Sequence, residues 1–152
     1  MLTKEIAEYL GSTVAGLTVG TNVWAVPVPE TAPGDIQVSV VEYAGRAPLR
    51  AMGPSLGDPV AEIARFQVAV IGQLSQYLES RQLIEEIRQA LDQLTEATLG
   101  GTRYLLVREL QPPFYQPPGE SGGGGGGAGA DIGDQNAQHH FSVNFEALRE
   151  RS

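Results

Sequence analysis

Few residues in this chain have the types and spacing that chemistry needs. His139 and His140 are adjacent, and Asp131, Asp134 and Asn136 precede them in a glycine-containing stretch. Imidazoles and carboxylates are the usual ligands of divalent metals. Adjacent residues at the start of a strand point to opposite faces, however, so the two histidines chelate poorly and read as surface or edge residues. The Asp131, Asp134, Asn136 spacing is not the alternating pattern of a calcium loop. Gly122 to Gly127 is an uninterrupted glycine run that lacks the Lys-Ser/Thr of a phosphate loop and does not stand between a strand and a helix. There is no GxSxG, no HExxH and no cysteine, which removes serine-hydrolase, zincin, disulfide and thiolate chemistry. Glu85 and Glu86 lie on the wet side of a helix and need no task beyond solubility. No catalytic residue, metal or cofactor is assigned, and the chain reads as no enzyme.

Residues suited to contact are easier to find. Arg46 and Arg50 open a Gly- and Pro-rich stretch, 44–63, that reads as a long connection. Long connections inside small domains tend to be functional. A second long loop is expected at 111–138, where four prolines surround Phe114 and Tyr115 ahead of the glycine run. Arg46, Arg50, Phe114 and Tyr115 are therefore the candidate interface residues.

These loops need a scaffold. A long amphipathic helix is expected over 76–96, with Tyr77, Ile84, Ile87, Leu91 and Leu94 on one stripe and Ser75 or Ser80 as its N-cap. A short helix over 3–10 turns Leu2, Ile6 and Leu10 one way, with Thr3 as N-cap and Gly11 as stop. Strands are expected at 21–28, 36–43, 64–72, 102–110 and 140–147. The third places Phe66, Val68 and Val70 on its core face, and the last does the same with Phe141, Val143, Phe145 and Ala147. Pro27 and Pro29 put the first at an edge. The fold class is then α+β, in the order α-β-β-β-α-β-β. A single mixed or antiparallel sheet of about five strands carries one long and one short helix on one face. Ala69 and Ile71 leave the second face partly apolar, which suggests burial by a neighbouring subunit.

At 152 residues the chain is expected to be a single domain, 1–152. Its 18 Asp and Glu outnumber 10 Lys and Arg, for a charge of -8. That argues against a reader of duplex DNA and suits a wall that DNA slides past. No apolar run approaches the ~20 residues that span a bilayer, so no membrane role is expected. Glu5 and Glu8 interrupt any apolar leader, which points to synthesis in a cytoplasm.

The VEYAG stretch at 41–45, RFQVAVIG at 65–72 running into a helix through Tyr77, and the closing DIGDQNAQHHFSVNFEA at 131–147 together resemble the tail terminator proteins of long-tailed bacteriophages. The likeness covers nearly the whole chain. It implies a structural virion protein at the head–tail junction, assembled in the host cytoplasm. Such proteins form a ring, typically a homo-hexamer, on a finished tail tube. The implied partners are further copies of the chain, the tail tube protein and a head-completion or connector protein, with DNA passing through the lumen without specific binding. The alternatives are a head-side closure or connector protein, a non-viral regulatory or ligand-binding α+β domain and, last, an enzyme.

Overall fold

A computed structural model describes residues 1–29, 35–50, 59–117 and 138–150. Helix α1 (Leu2–Thr13) is followed by strands β1 (Val23–Trp24), β2 (Gln37–Arg50) and β3 (Pro59–Gln73). A 3-10 turn (Leu74–Gln76) leads into helix α2 (Tyr77–Leu91), and strands β4 (Leu94–Leu99), β5 (Thr102–Gln116) and β6 (Gln138–Glu150) complete the order. The expected α+β class is observed, with six strands in the order β1-β2-β3-β6-β5-β4. All pairings are antiparallel except β1 with β2.

The longest register is β3 with β6, from Ala61 opposite Glu150 to Gln73 opposite Gln138. Period-two alternation on both strands puts Phe66, Val68, Val70, Phe141, Val143, Phe145 and Ala147 on one face. Phe66 and Phe145 face each other in that register and stack with centroids 5.3 Å apart. Ile84, Ile87 and Leu91 of α2 and Leu2, Ile6 and Leu10 of α1 close over this face, all essentially inaccessible to solvent. Each such side chain contributes about 1.5–3 kcal/mol by leaving water.

Several boundaries differ from the sequence expectation, each for a local reason. Helix α1 starts from Met1, not Thr3, and continues through Gly11, beside which Val19 passes at 3.2 Å from a notional Cβ. Helix α2 stops at Leu91, well short of 96. Asp92 is extended and Gln93 is left-handed at φ 61°, so the chain turns away and Leu94–Leu99 becomes β4. Neither Ser75 nor Ser80 caps α2. Gln73 and Gln76 form a reciprocal capping box around the 3-10 turn, and Ser80 is buried inside the helix. Strand β1 is only two residues long, although the Ser39 hydroxyl still donates to the Val26 carbonyl beyond it at 3.0 Å.

The two expected loops are shorter than 44–63 and 111–138. Strand β2 runs to Arg50, β3 begins at Pro59, β5 runs to Gln116 and β6 begins at Gln138. Register shifts after Tyr43, Arg46 and Leu49, and between Gln111 and Phe114, break the alternation that a strand shows in sequence. Pro112 and Pro113 fall within the last of these irregularities, where a missing N–H costs no regular ladder bond. Asp131, Asp134, Asn136 and the glycine run at 122–127 lie outside the described residues.

Candidate assembly interface

Both helices cover one face of the sheet, and the strands set the other face in rows. Tyr43, Arg65, Glu146 and Arg108 form one row across β2, β3, β6 and β5. Val41, Gln67, Asn144 and Gln111 form the next, and Ser39, Ala69, Ser142 and Phe114 a third. Glu146, only 5% exposed, accepts from Arg65 Nε at 3.1 Å and from an Arg108 terminal nitrogen at 2.6 Å. Gln67 donates to Asn144 Oδ1 at 3.0 Å. These cross-strand pairs hold the polar side chains flat, so the face is ordered without a covering helix. Val41 and Tyr43 remain exposed at its edge.

The helical face ends in an aromatic box. Tyr77 of α2, Tyr115 of β5 and His139 and Phe141 of β6 have ring centroids 5.0–5.9 Å apart. His139 is wholly buried, not a surface or edge residue, because it shares the core face with Phe141. Among the described residues neither of its ring nitrogens, nor the buried Ser80 hydroxyl, has a hydrogen-bond partner. Burial, and then His140, lower the His139 pKa, so the ring is neutral at pH 7. Burial lowers that of His140 as well. A Cβ on Gly72 would lie 2.6 Å from Ser80 Oγ and 3.4 Å from His139 Nε2, so a glycine lets α2 sit directly on β3 here. Hydroxyl and imidazole thus both approach Gly72, and both are buried. Among the described residues no group of three His, Asp or Glu side chains could hold a metal.

Of the four candidate contact residues, Arg46 and Arg50 lie toward one end of the sheet, opposite Ile63 and Pro59, and Phe114 and Tyr115 toward the other. The structure does not bring the two pairs together. Strand alternation also separates the second pair. Tyr115 joins the aromatic box, while Phe114 lies in a row on the helix-free face.

The fold is shared with a chain from the virion of a native gene transfer agent particle. The TM-score is 0.60 at 14% identity, over 99% of this chain and 95% of that one. A second solved chain gives a TM-score of 0.48 at 16% identity, over 99% and 92%, too low a similarity to carry weight. No known protein family and no curated protein matches the sequence. The likeness to the gene transfer agent chain is therefore one of fold, spanning both helices and the whole sheet.

The sequence reading missed the aromatic box. Tyr77 stood there as one member of the α2 stripe, and His139 as a surface residue. The available signal was the alternation of β6 extended two residues upstream of Phe141, which already places His139 on the core side.

Proposed function

We propose that this chain is a structural virion protein that assembles as a closed homo-hexameric ring on the end of a phage tail tube. The ring stops further addition of tube protein and offers its other side to a head-completion or connector protein. The observation that carries this reading is the fold likeness to a gene transfer agent virion chain over nearly the full length of both chains. The tail-terminator resemblance of VEYAG, RFQVAVIG and the closing strand adds the position in the particle. Function on this reading is geometric. A contact between two different patches closes into a ring when the rotation between copies permits, and a closed ring caps where an open helix would propagate. With each copy at -8, such a ring suits a channel through which DNA passes without binding. No chemical step is assigned to any residue.

The test is tube length. Purified chain added to polymerising tail tube protein is expected to stop growth and to narrow the length distribution. Tubes that grow as they do without it contradict the terminator role, and binding to a head connector alone moves the chain to the head side of the junction.

A further inference from the structure

A cavity of about 280 Å³ opens between α2 and β5. Its apolar walls are Tyr77, Ile84, Tyr115 and Phe141, and Arg81 and Glu85 stand among them. The volume lies just below the range of metabolite pockets, ~300–1,000 Å³, and suits a single inserted side chain. Glu85 is paired with Arg88 at 3.4 Å. Arg81 is exposed and has no hydrogen-bond or ion-pair partner among the described residues, so the site joins an aromatic socket to a free cation.

A complementary element lies elsewhere on the same chain. Strand β1 pairs with β2 only at Val38 and Ser39, so from Val41 onward the outer edge of β2 has no strand partner among the described residues. Val41 and Tyr43 on this edge are 38% and 39% exposed. Between them Glu42 is exposed and unpaired among the described residues. Alternation sends Glu42 and Tyr43 to opposite faces, so an edge-on approach presents a carboxylate and an aromatic ring astride whatever it meets. In sheet order β2 and β5 are separated by β3 and β6, three inter-strand steps or roughly 14 Å. A protomer therefore cannot fill its own cavity with its own β2 edge.

We infer that the β2 edge of one copy docks into the α2–β5 cavity of the next, with Tyr43 seated among Tyr77, Tyr115 and Phe141 and Glu42 paired with Arg81. Charge complementarity selects a second copy as occupant, because the acid and the cation are both left unpaired among the described residues. In a ring each copy gives its β2 edge to one neighbour and its cavity to the other, a heterologous contact that closes when the rotation between copies permits. This inference rests on the ring reading above and names the surface that builds it.

The test is a charge swap. Glu42 and Arg81 are exposed and unpaired among the described residues, so E42R and R81E are expected to melt at the wild-type temperature. Each is expected to weaken ring assembly roughly tenfold or more, read as the midpoint concentration in sedimentation velocity, because like charges then meet. The E42R/R81E double variant is expected to recover wild-type assembly, and Y43S to assemble poorly with no charge change. Single variants that assemble like the wild type, or a double variant that is not rescued, overturn this contact while leaving the ring intact. A wild-type chain that forms no ring, alone or on tube ends, overturns the ring reading itself.

Discussion

The Tyr104 hydroxyl donates to the Glu5 carboxylate at 2.5 Å, fastening α1 to β5 across 99 positions of chain. Both side chains are buried, at 0% and 7% exposure. Burial alone raises the pKa of a carboxyl. At Glu5 that effect is outweighed by hydrogen bonds from Tyr104, from Thr102 at 2.8 Å and from the N-terminal ammonium at 3.2 Å, so its pKa falls below the ordinary value. Burial, and next the bond to Glu5, push the Tyr104 phenol far up, so it stays a donor at every physiological pH. Arg149 approaches Glu5 at 3.7 Å and also pairs with Glu62, bringing β3 and β6 to the same point.

Y104F removes the strongest donor and leaves a buried carboxylate short of a partner. The expected loss is about 1.5–3 kcal/mol, the usual worth of a hydrogen bond to a charged group. For a chain of this length that lowers the melting temperature by about 2–4 °C per kcal/mol. Calorimetry of the two proteins at pH 7 checks it. Because the folded Glu5 pKa lies below the unfolded one, its stabilisation is present above pH ~4.5 and is lost as pH falls through the folded value. E5Q is expected to be less stable than wild type at pH 7, with the gap closing in acid.

His139 sets a second pH dependence, with a different window. Its folded pKa is depressed by burial and then by His140, so between that value and ~6.5 the unfolded chain takes up a proton that the folded chain refuses. Stability therefore falls as pH drops below ~6.5. Burial, and then the neighbouring Tyr77, raise the Tyr115 pKa, so Tyr115 adds no charge to the aromatic box in this range. H139F keeps a ring in the box and removes both unpartnered nitrogens. Urea unfolding at pH 7.5 and 5.5 is expected to show equal or higher stability for H139F at the upper pH and a smaller decrease at the lower one. A decrease as large as that of wild type would place the pH sensitivity elsewhere.

Gly45 sits where the β2–β3 register slips between Tyr43 and Arg46. A Cβ there would lie 2.3 Å from the Ile63 carbonyl oxygen, a backbone atom that cannot rotate aside. G45A is expected to cost about 1–3 kcal/mol, in line with other overpacked sites. A thermal melt within a degree of wild type would show that the bulge can relax around an added methyl.

How much of this was legible follows a physical divide. Regular alternation on β3 and β6, and the i, i+4 spacing of Leu2, Ile6 and Leu10, expose the core face directly, since burial of one face is what selects those residues. Strand β4 was hidden because Leu94 follows Leu91 at a helical step. Only the turn made by Asp92 and Gln93 shows that the step changes element, and Leu94 remains packed on the core from a strand. The outer parts of β2 and β5 were hidden by bulges, which put the side-chain alternation out of phase. The aromatic box was the least readable. Tyr77, Tyr115 and His139 meet only because β5 pairs with β6 across the long stretch between them, a tertiary fact that local periodicity does not carry.

Negative-stain microscopy of the purified chain incubated with tail tubes tests the central claim most directly. A closed annulus of six copies, seated on one end of each tube and with a central hole, is the result expected. Bare tube ends beside monomers, or open helical strings of the chain, would contradict it.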